Sequence, residues 1–400
     1  MNFADKLIAF LWPKPADDLP ERTRRRVVVY LIPYLFFLYI LAYLDRVNVS
    51  VAKFGMEKSI VEGGLGFTTV IIGFGTGLFF WGYWILEIPS TLSVLRWGAR
   101  WVFVRILVLW GLCCTLIGFV GTPVGDSMFG WLDSPAGDAI FAGLAGIARF
   151  LGMDPGPVDN LLVRQFYFLR FMLGFFEGGF FPSVILYLTL WFPARDRAKA
   201  IATFMSAIPI SSVFGNPLSG LLLHLDWAGL EGWRWIFILQ GGVPILAGFA
   251  TLFFLPDRPR SAAWLPEEEK TWLVGELERE QAARRAIGHW EWVPQIGTVL
   301  LLTGYYFCMN VTSYGLTTFM PSIIKSQAKE LSDTMASIVA ALPYVLALFG
   351  MLYNGRHSDR TQERILHVAV PLVCLSAGIF LAGLTSNLAV VPVLCMIFLV

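Results

Sequence analysis

Charged residues are scarce in this 400-residue sequence. Asp, Glu, Lys and Arg make up 15% of it, whereas they make up roughly 25% of an ordinary soluble domain. Hydrophobic residues account for 56% and recur in long runs. The formal net charge is +1, and no basic patch interleaved with aromatics is present, so we expect no nucleic-acid partner. The composition indicates a polytopic membrane protein whose surroundings are the lipid bilayer.

Residues that build metal sites, disulfides and nucleophilic centres are also few. The cysteines all fall in apolar segments and show no metal-ligand or disulfide spacing, so we interpret them as small residues that face lipid or the helix bundle: Cys113, Cys114, Cys308, Cys374 and Cys395. The four histidines are scattered over span ends and loops. No nucleophile–base pair or phosphate-binding loop lies in or beside an apolar segment. The sequence therefore argues against an enzyme, and we expect neither a cofactor nor a bound metal.

Long apolar segments define the predicted membrane spans. A helix needs roughly 20 apolar residues to cross a bilayer, and this rule predicts spans at 27–44, 68–94, 101–121, 165–192, 200–223, 234–255, 293–322, 334–353 and 365–384. A tenth apolar segment opens at Leu388 and reaches Val400, which is too short a helix to cross. We therefore expect the chain to be a piece of a longer protein.

Basic residues cluster in every second connection between spans. The clusters are Arg22–Arg26, Arg96 with Arg100, Arg195–Lys199, Arg258–Arg285 and Arg356–Arg364. Because basic residues favour the cytoplasmic side, this pattern predicts a multi-pass protein of the plasma (inner) membrane with its N-terminus in the cytoplasm. The N-terminal segment has no cleavage site of a signal peptide. The predicted divisions are a cytoplasmic segment 1–26, a six-helix bundle 27–255, a cytoplasmic linker 256–292 with an amphipathic helix, and a partial second bundle 293–400.

Two of the predicted cytoplasmic turns resemble each other. TLSVLRWGAR follows the second span and GRHSDRTQER follows the eighth, with arginines at the same two offsets. This correspondence predicts that a six-helix unit occurs twice in parallel. We assign the polar and glycine residues of both turns to a cytoplasmic gating motif: Arg96, Gly98, Arg100, Asp359, Arg360 and Arg364.

The segment 122–160, between the third and fourth spans, is rich in Gly, Pro and Asp, which is typical of loops. Within it, Ile140, Leu144, Ile147 and Leu151 fall on one face of a predicted helix that is too short to cross the bilayer. We expect this helix to rest on the outer surface. A structural insertion is favoured over a lid that gates substrate.

Few ionisable residues interrupt the apolar segments, where each charge costs about 3 kcal/mol on insertion scales. Asp45 and Arg46 are adjacent at the end of the first predicted span, and the fourth contains Arg170 and Glu177. The spacing of Arg170 and Glu177 places them on nearly the same face of a helix. The guanidinium of Arg170 suits a carboxylate ligand, and a carboxyl group withdrawn from water, such as Glu177, suits a proton carrier. An ion-pair network that only joins the first and fourth helices is the alternative.

The seventh span carries a stripe of hydroxyl and amide side chains that includes Asn310, Ser313 and Tyr314. Such a stripe is either the wall of a wet cavity or a set of interfacial anchors. We include these three residues, with Tyr83 of the second span, among the candidates for substrate binding.

Two further features of the spans are interpreted as structural. Glu87, late in the second span, is expected to cap a helix or to pair with Arg100. In the fifth span, Gly215 and Pro217 predict close packing and a local break of the helix.

Several stretches together resemble a known family. They cover nearly the whole chain and read YLDRVNVSVA, GYWILEIPSTLSVLRWGAR, FYFLRFMLGFFEGGFFPSVILYLTLWFPARDRAKA, GWRWIFILQGGVPILAGFATLFFLPDRP, YGLTTFMPSIIK and GRHSDRTQER. They resemble the major facilitator superfamily and, within it, the anion:cation symporters of organic and sugar acids, which are related to the sialin-type carriers. The resemblance implies an all-α membrane fold of two parallel six-helix bundles, here truncated within the tenth helix, around a cavity that opens to alternate sides.

The resemblance also implies roles for the buried charges. Asp45 and Glu177 match the family's proton carriers, Arg170 matches the arginine that contacts the substrate carboxylate, and Arg46 matches the arginine that pairs with the acid beside it. The sequence departs from the family in its early stop, in the longer segment 122–160, and in Leu95, where the general superfamily motif has an aspartate.

These observations lead to one functional hypothesis. We expect a secondary active transporter that imports a small organic anion by proton symport, with alternating access and with the proton as coupling ion. Protonation of Asp45 and Glu177 would free Arg46 and Arg170 to hold the anion. We expect the protein to act as a monomer. The alternatives are a carrier of a neutral solute or drug and, less in keeping with the motifs, a membrane sensor that transports nothing.

Overall fold

The computed structural model describes residues 18–285 and 296–384. Throughout these ranges the regular structure is helical, as predicted. Eight helical segments in the described residues are long and apolar enough to cross a membrane. The segments 1–17, 286–295 and 385–400, the last of which holds the whole tenth apolar stretch, lie outside the described residues.

Ten α-helices lie in the described residues from 18 to 254. They are α1 (Leu19–Met56), α2 (Thr69–Trp97), α3 (Ala99–Ile117), α4 (Pro123–Phe129), α5 (Pro135–Phe150), α6 (Leu161–Glu177), α7 (Phe180–Thr189), α8 (Ala194–Met205), α9 (Ala207–Leu222) and α10 (Gly232–Phe254). Spans one, two, three and six are α1, α2, α3 and α10. Span four is the pair α6 and α7, and span five is the pair α8 and α9.

The remaining helices are α11 (Glu267–Arg285), α12 (Ile296–Gln327), α13 (Asp333–Val339), α14 (Leu342–Thr361) and α15 (Ile365–Leu384). α12 is span seven, α13 with α14 is span eight, and α15 occupies the ninth predicted span. In the first bundle, α1 packs on α9 and α10, α2 packs on α6, and α3 packs on α6 and α10. The two halves meet where α1 contacts α12 and α13 and where α9 contacts α13 and α14.

The prediction that the first span ends at Leu44 is wrong. α1 is 38 residues long and continues to Met56. The helix continues because apolar residues resume directly after the charged pair, and Val47, Val49 and Val51 are all buried. Asp45 and Arg46 therefore lie inside a helix, about three turns before its end, rather than at the membrane boundary.

The fourth span is interrupted at Gly178 and Gly179, which separate α6 from α7. Gly179 has a φ of +85°, a left-handed conformation that favours glycine. The predicted close approach of a neighbouring helix is observed, because a Cβ on Gly174 would lie 1.9 Å from the carbonyl oxygen of Phe79 in α2. The interruption makes Glu177 the last residue of α6, where its side chain is fully buried.

The fifth span is interrupted at Ser206, and not at Gly215 and Pro217 as predicted. Both residues lie inside α9, since a membrane helix tolerates proline where its neighbours compensate. The close packing predicted at the glycine is observed, because a Cβ on Gly215 would lie 2.6 Å from Cδ2 of Leu44.

The segment 122–160 forms α4 and α5, which confirms a short helix in this region. Most of the predicted apolar face points away from the rest of the protein. Ile140, Ile147 and Leu151 are more than half exposed, whereas Leu144 is partly buried and packs against the core. The buried residues of α5 are Gly137, Phe141, Ala145 and Ala148, three of them small enough to let the helix approach its neighbours closely.

The linker helix α11 packs against the beginning of α1. Oε1 of Glu269 accepts a hydrogen bond from Nε of Arg22 at 2.9 Å, and its Oε2 forms an ion pair with Nε of Arg26 at 2.9 Å. Beside this contact, the rings of Tyr30 and Trp264 stack with their centroids 4.1 Å apart. This end of the bundle also carries the turn between α2 and α3, so we call it the basic side and the other end the opposite side.

Candidate functional site

Asp45 is held by three donors from α1 and α3. Its Oδ1 accepts from Nδ2 of Asn48 at 2.7 Å and from Sγ of Cys114 at 2.7 Å, and its Oδ2 accepts from Nε1 of Trp110 at 2.8 Å. The side chain is 1% exposed. Three convergent donors stabilise a carboxylate in a place where water cannot.

Arg46 does not pair with Asp45, as the resemblance implied, but with Glu177 across the bundle. Its Nη2 lies 2.7 Å and its Nε 3.2 Å from Oε1 of Glu177. Adjacent residues on a helix project about 100° apart, so the carboxylate of Asp45 and the guanidinium of Arg46 face different neighbours. Arg46 therefore joins the first span to the fourth.

Aromatic residues surround the guanidinium of Arg46. Its Nη1 donates to the hydroxyl of Tyr314 at 2.7 Å, and its Cζ lies 5.0 Å from the ring of Tyr43 and 5.5 Å from the ring of Tyr83. Such cation–π contacts stabilise a cation that has left water. Because Tyr314 belongs to α12, the site spans both halves of the protein.

Arg170 lies on α6 two turns before Glu177 and is 2% exposed. Its Nε and Nη1 are buried and have no hydrogen-bond partner in residues 18–285 and 296–384. The guanidinium lies 5.2 Å from the ring of Phe79 and within electrostatic reach of Asp45 and Glu177. A buried guanidinium with unsatisfied N–H groups is costly, so this arrangement favours an anionic ligand.

The structure brings together Asp45, Arg46, Arg170, Glu177, Tyr83 and Tyr314 but not every predicted site residue. Asn310 donates to the carbonyl oxygen of Tyr306 in its own helix at 2.8 Å, and Ser313 is exposed. Neither has a recorded contact with Arg46 or Glu177 among the described residues. Among the described residues of the polar stripe on span seven, Tyr314 alone has a hydrogen bond to one of the four buried charged residues, Arg46.

The first of the two basic turns is fixed by an aspartate that the sequence did not single out. Oδ1 of Asp257 accepts from the backbone N–H of Arg100 at 2.9 Å, while Nε of Arg100 donates to the carbonyl oxygen of Leu255 at 2.9 Å. A Cβ on Gly98, whose φ is +87°, would lie 2.6 Å from the same carboxylate oxygen. The predicted pair of Glu87 with Arg100 does not form. Arg100 instead ties the turn to the end of α10.

The second basic turn is more open. Nη1 of Arg364 donates to Oγ of Ser358 at 2.8 Å, and Arg360 is exposed, as is Arg96 in the first turn. The side chain of Asp359 lies outside the described atoms. The matched arginines of the two turns therefore have different surroundings.

Sequence reasoning missed Asn48, Trp110 and Cys114. Cys114 was interpreted only as a small apolar residue, and its thiol is also 3.5 Å from the carbonyl oxygen of Phe237 in α10. Asn48 could have been found, because it lies three residues after Asp45 and so shares its helical face. Trp110 and Cys114 lie on another helix, and no spacing in the sequence pairs them with Asp45.

Comparison with known proteins identifies the family. The Major Facilitator Superfamily pattern matches residues 35–400. A protein of Agrobacterium vitis named "Putative tartrate transporter" is 36% identical over 374 residues, which are 92% of this chain and 73% of that protein. A "Quinolone resistance transporter" of Acinetobacter baumannii is 33% identical and is matched over 92% of this chain and 74% of its own length.

The solved structures agree in fold. The partially occluded, inward-open xylose transporter XylE of E. coli superimposes with a TM-score of 0.65 at 15% identity, over 94% of this chain and 81% of that one. The chain belongs to the major facilitator superfamily, a family of multi-pass membrane transporters and not of enzymes. These findings confirm the resemblance and the all-α fold of that family inferred from the sequence.

Proposed function

We propose that the protein imports a small organic carboxylate together with protons. The observation that carries this proposal is Arg170, whose buried Nε and Nη1 have no partner in the described part of the chain. A network that served only to join helices would leave no guanidinium unsatisfied, because the desolvation cost would be uncompensated. A carboxylate bound at Arg170 satisfies both N–H groups in a bidentate arrangement.

Glu177 supplies the coupling to protons in this proposal. Its Oε1 holds Arg46, and its Oε2 is buried without a partner. Protonation at Oε2 neutralises the acid and weakens its bond to Arg46, which then becomes available to a second oxygen of the anion. Asp45, held by its three donors, is the second proton carrier. The proposal requires no cofactor, and the site residues named above all lie in one chain, so it requires no second copy.

The contacts between the two halves support alternating access. On the opposite side, the hydroxyl of Thr334 in α13 donates to the carbonyl oxygen of Gly220 in α9 at 2.8 Å and lies 2.6 Å from Nε2 of His224. These bonds join the two halves on that side. In our proposal the basic side is cytoplasmic and the N-terminus lies there, so these bonds belong to the outer gate.

A competition assay on reconstituted protein tests the substrate class. A hydroxy-dicarboxylate such as tartrate, its diamide and a polyol of similar size are compared as competitors of labelled tartrate. We expect the dicarboxylate to compete and the diamide to fail, because only the carboxylate satisfies Arg170. Equal competition by the neutral analogues would overturn the proposal.

The second candidate is a carrier of a drug or neutral solute. It is favoured by the relative whose name refers to quinolone resistance, which is 33% identical. The buried arginines favour an anion instead. Resistance to a quinolone in cells that produce the protein, without uptake of any carboxylate, would favour the second candidate.

A further inference from the structure

α5, the helix between spans three and four, has very little polar surface. Its 16 residues include one acid, Asp138, and one base, Arg149. At about 100° per residue, the helix divides into three sectors. One sector packs on the protein, a narrow edge carries Asp138 and Arg149, and a wide sector carries Ile140, Ile147 and Phe150. We call this wide sector the apolar arc of α5.

The apolar arc is exposed in the structure. Ile140 is 57% exposed, Ile147 is 53% exposed and Phe150 is 88% exposed. Between them lie glycine and alanine residues, so no polar side chain interrupts the arc. A helix that is apolar on nearly every side belongs inside a protein or a membrane, and an exposed face of this kind is not suited to water.

Arg164 joins α5 to the beginning of the fourth span. Arg164 lies in the first turn of α6, where the fourth span begins, and is 6% exposed. Its Nη1 lies 2.7 Å from Oδ1 of Asp138 and 2.9 Å from the carbonyl oxygen of Leu132. α5 is therefore held beside the first turn of a membrane span. Trp131, 47% exposed and just before α5, is the residue type that anchors proteins at membrane interfaces.

The exposed surface continues from α5 to a membrane span. Met153, which follows α5, borders a groove of about 340 Å³ together with Gly73, Gly77 and Trp81 of α2. The groove therefore connects the end of α5 with the surface of a membrane span.

We propose that α5 is an interfacial membrane helix whose apolar arc contacts the acyl chains of the leaflet on the opposite side. The narrow edge with Asp138 and Arg149 then faces the headgroups and water. Lipid is the occupant that fits, because the arc adjoins a membrane span and lies at the level where spans begin. This inference does not depend on the substrate or on proton coupling.

Spin labelling in proteoliposomes tests the proposal. Cysteine is introduced singly as Ile147→Cys on the arc and as Arg149→Cys on the polar edge, in the full chain with Cys308, Cys374 and Cys395 replaced by serine. Leu112→Cys, at a residue of α3 that is 45% exposed, gives the reference for a lipid-facing site. Collisions of each nitroxide with oxygen, which concentrates in lipid, are compared with collisions with a water-soluble nickel chelate.

We expect the label at Ile147 to match the label at Leu112, with the oxygen-to-nickel ratio several-fold higher than at Arg149. A ratio equal to that at Arg149 would place the arc in water and overturn the proposal. If the label is shielded from both reagents, and if its spin–spin broadening disappears when unlabelled protein is added, the apolar arc contacts a second copy of the protein. That result would also overturn the proposal. If Ile147→Cys does not fold, Phe150→Cys on the same arc gives the same comparison.

Discussion

Arg46 directs two of its N–H groups, Nε and Nη2, to a single oxygen of Glu177, at 3.2 and 2.7 Å. The other oxygen of Glu177 is buried and has no partner in the described ranges. The third bond of Arg46 goes to Tyr314 in the second half of the protein. In the proposed mechanism, a change in the charge of Glu177 acts on the contact between the two halves through the side chain of Arg46, and this would couple a proton to a conformational change.

Arg170→Lys tests whether Arg170 binds the carboxylate of the substrate. Lysine keeps the charge but cannot make two parallel bonds to a carboxylate, and a hydrogen bond to a charged group contributes about 1.5–3 kcal/mol. We expect the affinity for the carboxylate to fall by roughly 10- to 100-fold. Isothermal titration on purified protein measures this change. Arg149→Lys, an exposed position on α5, is the matched control and should bind as the wild type does. Unchanged affinity in Arg170→Lys would remove this residue from the binding site.

Cys114→Ala and Cys114→Ser test the donors around Asp45. Alanine removes one of the two donors to Oδ1 and leaves Asn48, whereas serine retains a donor at position 114. We expect Cys114→Ala to unfold at a lower temperature, with a loss on the order of 1–3 kcal/mol for a lost hydrogen bond to a carboxylate, and to move the pH profile of proton-driven uptake. Cys114→Ser should keep the profile close to that of the wild type. If the two variants have the same profile, the thiol does not position Asp45 for proton exchange.

Gly82→Ala tests the close approach of α2 and α6. A Cβ at Gly82 would lie 2.2 Å from the carbonyl oxygen of Phe171, whereas a Cβ at Gly77 in the same helix would meet nothing within 4 Å. Overpacking typically costs about 1–3 kcal/mol. We expect the melting temperature to fall in Gly82→Ala and to stay unchanged in Gly77→Ala, as measured by thermal unfolding in detergent. Equal melting temperatures would show that α2 and α6 are less tightly packed than described.

Thr334→Val tests the closure of the opposite side. Valine has nearly the same shape but cannot bond to Gly220 or His224, whereas Thr334→Ser keeps the hydroxyl. Ser337, next to Gly220 and fully buried, serves as a reporter when changed to cysteine. A membrane-impermeant maleimide should label Ser337→Cys several-fold faster with Thr334→Val than with Thr334→Ser. Equal labelling rates would mean that these bonds do not hold the closed state.

The amino-acid sequence was enough to predict the class of fold and the charged residues of the site, for a physical reason. A charge in an apolar segment is so costly that Asp45, Arg46, Arg170 and Glu177 stand out without any structure. Span positions follow equally directly from the length of apolar runs. The resemblance to the transporter family rested on the same segments.

The partners of those charges could not be predicted. Helical periodicity relates residues within one helix, so it placed Arg170 and Glu177 on one face. It does not show which side chain of another helix lies opposite them. Arg46 consequently pairs with Glu177 and not with its neighbour Asp45. The end of the first span was also placed too early, because the charge of Asp45 suggested that the apolar helix ends before it. Three donors satisfy its carboxylate, so a charged residue is tolerated inside this helix.

Counterflow with Glu177→Gln is the decisive experiment. Glutamine matches glutamate in size and mimics its protonated form, so Arg46 stays released. In proteoliposomes, we expect the variant to exchange labelled for unlabelled carboxylate at a rate comparable to the wild type, and to lose accumulation driven by a proton gradient. Accumulation at the wild-type level in Glu177→Gln would contradict the assignment of Glu177 as a proton carrier.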